Sequence, residues 1–200
     1  MAEDSDNINR LVNLMFEAAM LKRTFRTGYA FLGTGRESSA AHSFSTAFIA
    51  MLLGKMVPGA DPCRLVLMAL IHDLPEARTG DANAVHKLYV KRDEERAFRD
   101  AVDGLSFGHD LLALYREYEE GRSLEARLAR DADQIDMLIS LKEQLDCGNN
   151  NAAQWVPFVE KRLVTPEAKK LAERIKSSHW SAWWMDSFDD GANEKKKEME

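Results

Sequence analysis

Hydrophobic residues recur along most of the chain with the period of an α-helix. In the first segment they lie three or four residues apart and form one apolar stripe, made of Ile8, Leu11, Val12, Met15, Ala18 and Ala19. No stretch alternates between apolar and polar residues for long enough to predict a strand, and no segment repeats. The pattern therefore predicts an all-α fold, a compact globular bundle of helices.

Capping residues and helix breakers predict the bounds of the other helices. Ser38 or Ser39 is expected to cap a helix over about residues 40–56, which Pro58 ends, and Asp61 to cap the next one, with Pro62 at its first position. Pro75 should end or kink that second helix. Further helices are predicted over about residues 91–102, from 109 past 115, 124–145 after the cap Ser123, and 166–184 after the cap Thr165, with loops at 27–37 and 79–83.

The length and the charge of the chain limit what it can be. Its 200 residues suit one domain, which we predict over residues 1–188, followed by a charged, disordered tail over 189–200. Acidic residues outnumber basic ones by 33 to 27, for a formal net charge of −6. Proteins that bind nucleic acid or a membrane surface normally carry a basic face, so this balance argues against both partners. One or two local basic side chains still suffice for a phosphorylated small molecule.

Several absences in the sequence predict a soluble cytoplasmic protein. No apolar run approaches the ~18 residues that a membrane span needs. The acidic start, residues 1–6, is unlike a signal or transit peptide. The two cysteines, Cys63 and Cys147, are far apart and lack CxxC spacing, which indicates a reducing compartment.

The adjacent pair His72 and Asp73 is the first candidate for chemistry. It follows an apolar stretch, residues 65–71, that predicts a buried helix, and burying both groups is costly unless a partner compensates them. His42 lies upstream and Asp133 downstream, the latter on a stripe of small and apolar residues. Two imidazoles and two carboxylates could together bind one divalent transition metal: Mn, Fe, Co, Ni or Zn.

Two further interpretations concern the surroundings of this set. His42 falls in the first turn of its predicted helix, where the helix dipole disfavours a positive charge and keeps an imidazole neutral and available as a ligand. Asp131 and Asp136 fall on other faces of the helix that carries Asp133, so we expect them to be solvated or paired.

The order of these residues resembles the H…HD…D signature of HD-domain metal-dependent phosphohydrolases. The flanks resemble the 5′-deoxynucleotidase branch of that superfamily in three segments: 21–29 (LKRTFRTGY), 37–43 (ESSAAHS) and 72–81 (HDLPEARTGD). The match runs from about residue 21 to 145 and includes similar segments at 117–119 and 133–137. Tyr29 stands where the branch usually has Trp, and Ala41 and Gln134 replace a Glu and a Lys beside ligands, but every ligand position is kept.

The resemblance implies a role for each site residue. The metal ligands would be His42, His72, Asp73 and Asp133. The catalytic carboxylates, acting on the water or the leaving oxygen, would be Glu76 and Asp81. Arg26 would hold phosphate, because its planar guanidinium matches phosphate oxygens, and Tyr29 would also contact the substrate. Without the resemblance, Arg26 would be interpreted as a solvated surface charge.

These implications favour metal-dependent hydrolysis of (deoxy)nucleoside 5′-monophosphates to nucleoside and phosphate. Two alternatives stay open. The same metal site could act on another phosphate ester or a signalling nucleotide, or the chain could be a binding module that holds the metal structurally. The cluster Trp180, Trp183 and Trp184 could anchor a partner of such a module, although packing on the core or on a dimer mate fits it better. The resemblance also implies a homodimer.

Overall fold

Residues 2–188, which the computed structural model describes, fold into helices joined by short loops, with no strand among them. The all-α prediction is therefore confirmed. In chain order the helices are α1 (Ala2–Met20), α2 (Tyr29–Leu32), α3 (Ser39–Met56), α4 (Pro62–Ile71), α5 (Glu76–Thr79), α6 (His86–Tyr89), α7 (Glu94–Val102), α8 (Gly108–Glu120), α9 (Leu124–Asp146), α10 (Val156–Arg162), α11 (Pro166–Ser177) and α12 (Ala182–Met185). The predicted tail, 189–200, lies outside the described residues, and the single domain stays a prediction.

The predicted caps form at the helices that build the site. The Ser38 hydroxyl accepts from the backbone N–H of Ala41 at 3.2 Å, so α3 begins at Ser39. The Asp61 carboxylate accepts from two backbone N–H groups in the first turn of α4, at 2.9 and 3.2 Å. Such caps satisfy N–H groups that have no partner within the helix. They fix where α3 and α4 begin.

The predicted end of α11 and the predicted start of α7 are wrong. α11 ends at Ser177 instead of continuing to Trp184, and the N–H of Trp180 donates to the Asp146 carboxylate at 2.9 Å instead of bonding within a helix. α7 begins at Glu94 instead of about residue 91, because Asp93 caps it and accepts from a backbone N–H three residues later at 3.1 Å. α2 lies within residues 27–37, which were predicted to form a loop, so that loop contains a helix. α12 is separate from α11 although its first three residues fall in the predicted helix 166–184, and the short helices α5, α6 and α10 had no prediction of their own.

The centre of the fold is the packing of α3, α4 and α9 against one another. Their contact surfaces contribute fully buried residues, among them Leu53, Leu65, Met68, Leu128 and Leu138. Burying one such side chain stabilises the fold by roughly 1.5–3 kcal/mol. A second apolar cluster joins α7 and α8, where the rings of Phe98 and Tyr115 stack with centroids 4.4 Å apart.

Close approach of α3 and α4 depends on a glycine. A Cβ added to Gly54 would lie 2.9 Å from the Cα of Pro62, closer than real contacts allow. This approach holds the N-terminus of α4 against α3, and the two helices carry the predicted histidine ligands. None of the helices within residues 2–188 is both long and apolar enough to cross a membrane.

Candidate metal centre and active site

The three central helices bring the four predicted ligands together. His42 lies in the first turns of α3, His72 and Asp73 follow the end of α4, and Asp133 lies within α9. Nε2 of His42 is 3.3 Å from Nε2 of His72 and 3.1 Å from Oδ1 of Asp133. Asp73 completes the group, with Oδ2 3.6 Å from Nε2 of His42 and Oδ1 3.3 Å from Nε2 of His72. We call these four residues the HD cluster.

Hydrogen bonds on the outer nitrogens orient both imidazoles. Nδ1 of His72 lies 2.7 Å from the carbonyl oxygen of Ala69, and Nδ1 of His42 lies 2.6 Å from Oδ2 of Asp136. The Ala69 carbonyl only accepts, so a neutral His72 carries its proton on Nδ1. At His42 the Asp136 carboxylate favours the same tautomer, while a nitrogen of Arg26, which only donates, lies 2.7 Å from that Nδ1 and opposes it. In this tautomer each neutral ring turns the lone pair of its Nε2 into the cluster.

The donor set of the HD cluster fits a divalent transition metal. The two Nε2 atoms lie within 3.1–3.6 Å of carboxylate oxygens of Asp73 and Asp133, and neutral rings with lone pairs facing these oxygens are repelled unless a proton or a metal cation lies between them. Nitrogen and oxygen ligands together suit such metals, and the hydrogen bonds on each Nδ1 are the outer contacts that orient histidine ligands.

Electrostatics within the cluster favour positive charge. Burial and the charge of Arg26 lower the pKa of His42, but hydrogen bonds with Asp133 and Asp136 outweigh them and raise it to about 10. Burial opposes ionisation of Asp133, yet the hydrogen bond with His42 holds the pKa of Asp133 well below its usual value. These carboxylates outweigh the helix N-terminus, from which the sequence predicted a neutral His42. The same carboxylates would favour a metal cation in place of the proton.

Arg26 lies inside the site and is not a solvated surface charge. Its side chain is 13% exposed, donates to Oε2 of Glu37 at 3.1 Å and lies 3.6 Å from Oδ2 of Asp136. Burial lowers the pKa of Arg26, but the surrounding carboxylates, Asp133 foremost, raise it overall. The Tyr29 hydroxyl donates to the same Glu37 oxygen at 3.3 Å. Arg26 and Tyr29, the two predicted substrate contacts, therefore donate to the same acceptor, Oε2 of Glu37.

A groove opens beside these two residues. It has a volume of about 570 Å³, and Tyr29 and Glu37 lie in its wall together with Lys22, Phe25 and Arg36. No member of the HD cluster lines it. The groove therefore adjoins the cluster through Glu37 and does not contain it.

The two predicted catalytic carboxylates lie in separate hydrogen-bond environments. Glu76 is the first residue of α5 and is buried, and the Ser39 hydroxyl donates to its Oε2 at 2.6 Å. Burial and the nearby charge of Asp73 raise the pKa of Glu76 to about 8. Asp81 follows α5, and its Oδ2 accepts from the N–H and the hydroxyl of Thr27 at 2.5 and 2.6 Å.

Comparison with known proteins decides the family. A family model described as "HD domain" matches residues 18–176. The chain belongs to the HD-domain family. Human 5′-deoxynucleotidase HDDC2 is 31% identical to this HD domain over 142 residues, which is 68% of this chain and 69% of the human protein.

Solved structures share the fold of this chain. A conserved hypothetical protein from Pyrococcus furiosus is 27% identical, with a TM-score of 0.70 over 84% of this chain and 99% of that one. A protein from Magnetospirillum magnetotacticum, titled a predicted metal-dependent phosphohydrolase, shares the fold at 22% identity, with a TM-score of 0.65 over 86% of this chain and 91% of that one. The family and the donor set of the HD cluster together imply a divalent metal.

Both aspartates beside Asp133 in this HD domain are buried and paired. Asp131 accepts from the backbone N–H groups of Val164 and Thr165, each at 2.8 Å, and Asp136 bonds His42 as described. Of the two alternatives predicted from the sequence, paired is right and solvated is wrong. The contact of His42 with Asp136 was not predicted, and the expectation that Asp136 falls on another face of α9 than Asp133 is wrong. The spacing of three residues between Asp136 and Asp133, which places both on neighbouring parts of one helix face, was the available signal.

Gly80 sets the direction of the chain between Glu76 and Asp81. Its φ of 72° and ψ of 164° belong to a region that is essentially restricted to glycine. We expect Gly80→Ala to lower the free energy of unfolding by about 1–3 kcal/mol, because the alanine backbone is strained there. Urea denaturation measures the loss.

A matched glycine separates strain from crowding. A Cβ on Gly80 would meet nothing within 4 Å, so its cost is conformational. Gly28 has an ordinary φ of −58°, and a Cβ there would make ordinary contacts with Trp155 at 3.6 Å and beyond. Gly28→Ala should therefore lose less stability than Gly80→Ala, and equal losses would contradict the strain.

Proposed function

We propose that this protein is a metal-dependent phosphohydrolase that cleaves deoxynucleoside 5′-monophosphates to nucleoside and phosphate. The observation that carries the proposal is the convergence of two imidazole Nε2 atoms and two carboxylates in the HD cluster. The name of the human relative, 5′-deoxynucleotidase, supports the substrate class. We keep a small-molecule nucleotide as the partner, and a homodimer stays a prediction.

In this proposal the HD cluster holds one divalent metal: His42, His72, Asp73 and Asp133 are its ligands. When bound, such a cation polarises phosphoryl oxygens and lowers the pKa of water, which supplies a nucleophile near neutral pH. Metal analysis of the purified protein identifies the native metal among Mn, Fe, Co, Ni and Zn.

The chain's own carboxylates supply proton transfer. Burial raises the pKa of Glu76, which suits it to donate a proton to the leaving 5′-oxygen. Asp81 accepts two hydrogen bonds at Oδ2, and its other oxygen is suited to accept a hydrogen bond from the substrate or from water.

Arg26 and Tyr29 would contact the substrate. Arg26 is held within a set of carboxylates, so an incoming phosphate would replace part of that set as the partner of the guanidinium. Tyr29 shares the acceptor Glu37 and would move with it.

A substrate panel tests the proposal. The protein loaded with Mn or Co is offered deoxy- and ribonucleoside monophosphates, and release of phosphate is measured. We expect release from deoxynucleoside monophosphates that is lost in Asp73→Ala and kept in the control Asp110→Ala, whose side chain is 89% exposed. Release that survives Asp73→Ala would rule out the assigned site.

Extending the panel separates the alternatives. Activity confined to cyclic dinucleotides, pyrophosphorylated nucleotides or other esters would keep the metal site and change the substrate. Metal-loaded protein that hydrolyses nothing but loses stability on chelation would instead indicate a binding module with a structural metal.

Asp136→Asn tests the outer contact of the metal site. The change removes the carboxylate charge that orients the His42 ring, so metal affinity should fall by about 10–100-fold, as for other outer contacts of histidine ligands. Competition with a fluorescent chelator measures the dissociation constant. An affinity equal to that of the unaltered protein would show that Asp136 does not support the ligand.

A further inference from the structure

A chain of hydrogen bonds joins the loop before α2 to the loop before α6 and ends on Asp81. The N–H and the hydroxyl of Thr27 both donate to Oδ2 of Asp81, at 2.5 and 2.6 Å. The Thr27 oxygen in turn accepts from the backbone N–H of Asn83 at 3.1 Å and from its side-chain amide at 3.0 Å. We call Thr27, Asp81 and Asn83 the clasp.

The geometry of the clasp fixes which way each hydrogen bond runs. A hydroxyl has one proton and two lone pairs, and Asn83 donates to both lone pairs of Thr27. The single proton of Thr27 therefore has to go to Asp81. Because Oδ2 of Asp81 receives two donors, that oxygen is engaged as an acceptor.

The orientation of the Asn83 amide is fixed as well. Its carbonyl oxygen accepts from the N–H groups of Val85 and His86, each at 3.0 Å, at the start of α6. The opposite end of the amide, which carries the donors, is thereby directed at Thr27. Rotating the amide by 180° would turn its NH₂ group toward the N–H groups of Val85 and His86 and its oxygen toward Thr27. Hydrogen bonds would then be lost at both ends.

The other carboxylate oxygen of Asp81 is in a different position. Among the described residues, no protein group donates a hydrogen bond to Oδ1 of Asp81. Ala82, the next residue, is buried. The clasp thus holds one oxygen of the carboxylate and leaves the other for a partner outside the chain.

We propose that Thr27 and Asn83 are positioning residues, which hold Oδ2 of Asp81 so that Oδ1 is presented to the substrate. This inference rests on the proposed phosphohydrolase function. Thr27 acts through its hydroxyl, which donates to Asp81, and Asn83 acts by orienting that hydroxyl.

Thr27→Val tests the hydroxyl with little change in shape. The valine keeps the backbone donor to Asp81 and removes the hydroxyl donor. We expect kcat to fall by about 10–100-fold, because small misplacements of a catalytic group cost that much. KM should change much less, and affinity for Mn should stay at the wild-type value, because no metal ligand is touched.

Two further variants show whether the hydroxyl is the cause. Thr27→Ser restores the hydroxyl and should recover most of the lost kcat. Thr24→Val is the matched control, because the Thr24 hydroxyl bonds only its own preceding turn, at the Met20 carbonyl, 3.3 Å away. A Thr27→Ser as slow as Thr27→Val, or a Thr27→Val with wild-type kcat, would overturn the inference.

The link to Asn83 is tested by combining substitutions. Asn83→Ala should lower kcat in the wild-type background and add little in the Thr27→Val background, because Asn83 acts through that hydroxyl. Fully multiplicative losses would mean that the two residues act separately, and would overturn the role of Asn83.

Amide hydrogen exchange tests whether the clasp forms, independently of enzyme activity. The N–H of Asn83 loses its acceptor in Thr27→Val and should exchange faster there than in wild type, Thr27→Ser or Thr24→Val. Equal exchange in all four proteins would show that the clasp does not form and would overturn the inference. If exchange changes as expected but the metal-loaded wild type hydrolyses no ester of the extended panel, it is the proposed function that has failed, and the positioning role falls with it.

Discussion

Replacing His72 with alanine is expected to abolish tight metal binding and to lower phosphate release by about 10³-fold or more. The substitution removes one of two imidazoles whose Nε2 atoms face each other across 3.3 Å. Loss of the metal would remove several kcal/mol of transition-state stabilisation, and each 1.4 kcal/mol is about tenfold in rate. The fold should persist, because His72 follows the last residue of α4 and its polar ring meets the apolar core at Tyr118, where the ring centroids are 5.3 Å apart, without forming part of that core.

Metal content after dialysis, phosphate release and circular dichroism together check this expectation. The matched control is His109→Ala, because the His109 side chain is 91% exposed and is not a candidate metal ligand. His72→Ala protein that keeps a full equivalent of metal would contradict the ligand assignment. A variant that loses metal and its helical signal together would indicate a structural role of the metal instead.

Replacing Asp131 with alanine is expected to lower the free energy of unfolding by about 2–5 kcal/mol, more than any other substitution proposed for this protein. Asp131 is fully buried and accepts from the N–H groups of Val164 and Thr165 and from the Thr165 hydroxyl, at 2.8, 2.8 and 2.6 Å. Alanine would leave these donors without their acceptor in a buried position. Thr165 is also the cap of α11, so the packing of α11 against α9 would weaken.

The free energy of unfolding in urea measures this loss, with Asp110→Ala as the exposed control. We expect Asp131→Ala to retain stoichiometric metal at low temperature, where it is still folded, because Asp131 does not contact the HD cluster. A loss below 1 kcal/mol would show that water replaces the carboxylate at little cost. Loss of metal without loss of stability would instead place Asp131 among the groups that support the site.

Local signals in the sequence predicted the helices that carry the site. The caps Ser38, Asp61 and Ser123 act within a few residues of themselves, and α3, α4 and α9 begin where they predicted. The end of α11 could not be predicted in this way, because it depends on a bond from Trp180 to Asp146 on another helix. Helices as short as α10 and α12 span too few turns to show a clear period.

The HD cluster could be predicted because its residues belong to a recognisable order along the chain. The groups around it could not, because each acts through a partner distant in sequence. Asp136 reaches His42 only because α9 crosses α3, and Thr27 reaches Asp81 only because two loops meet. Arg26 was assigned to phosphate from the family resemblance together with its guanidinium, whereas the structure surrounds it with carboxylates that no local pattern reveals.

Stepwise addition of Mn to chelator-treated protein tests the central claim most directly. Phosphate release from a deoxynucleoside 5′-monophosphate is followed at each step. We predict that the rate rises in proportion to added metal and saturates at one equivalent per chain, because the HD cluster supplies one set of four ligands. Release that is independent of metal, or a rate that stays at zero beyond one bound equivalent, would contradict a single catalytic metal held by His42, His72, Asp73 and Asp133.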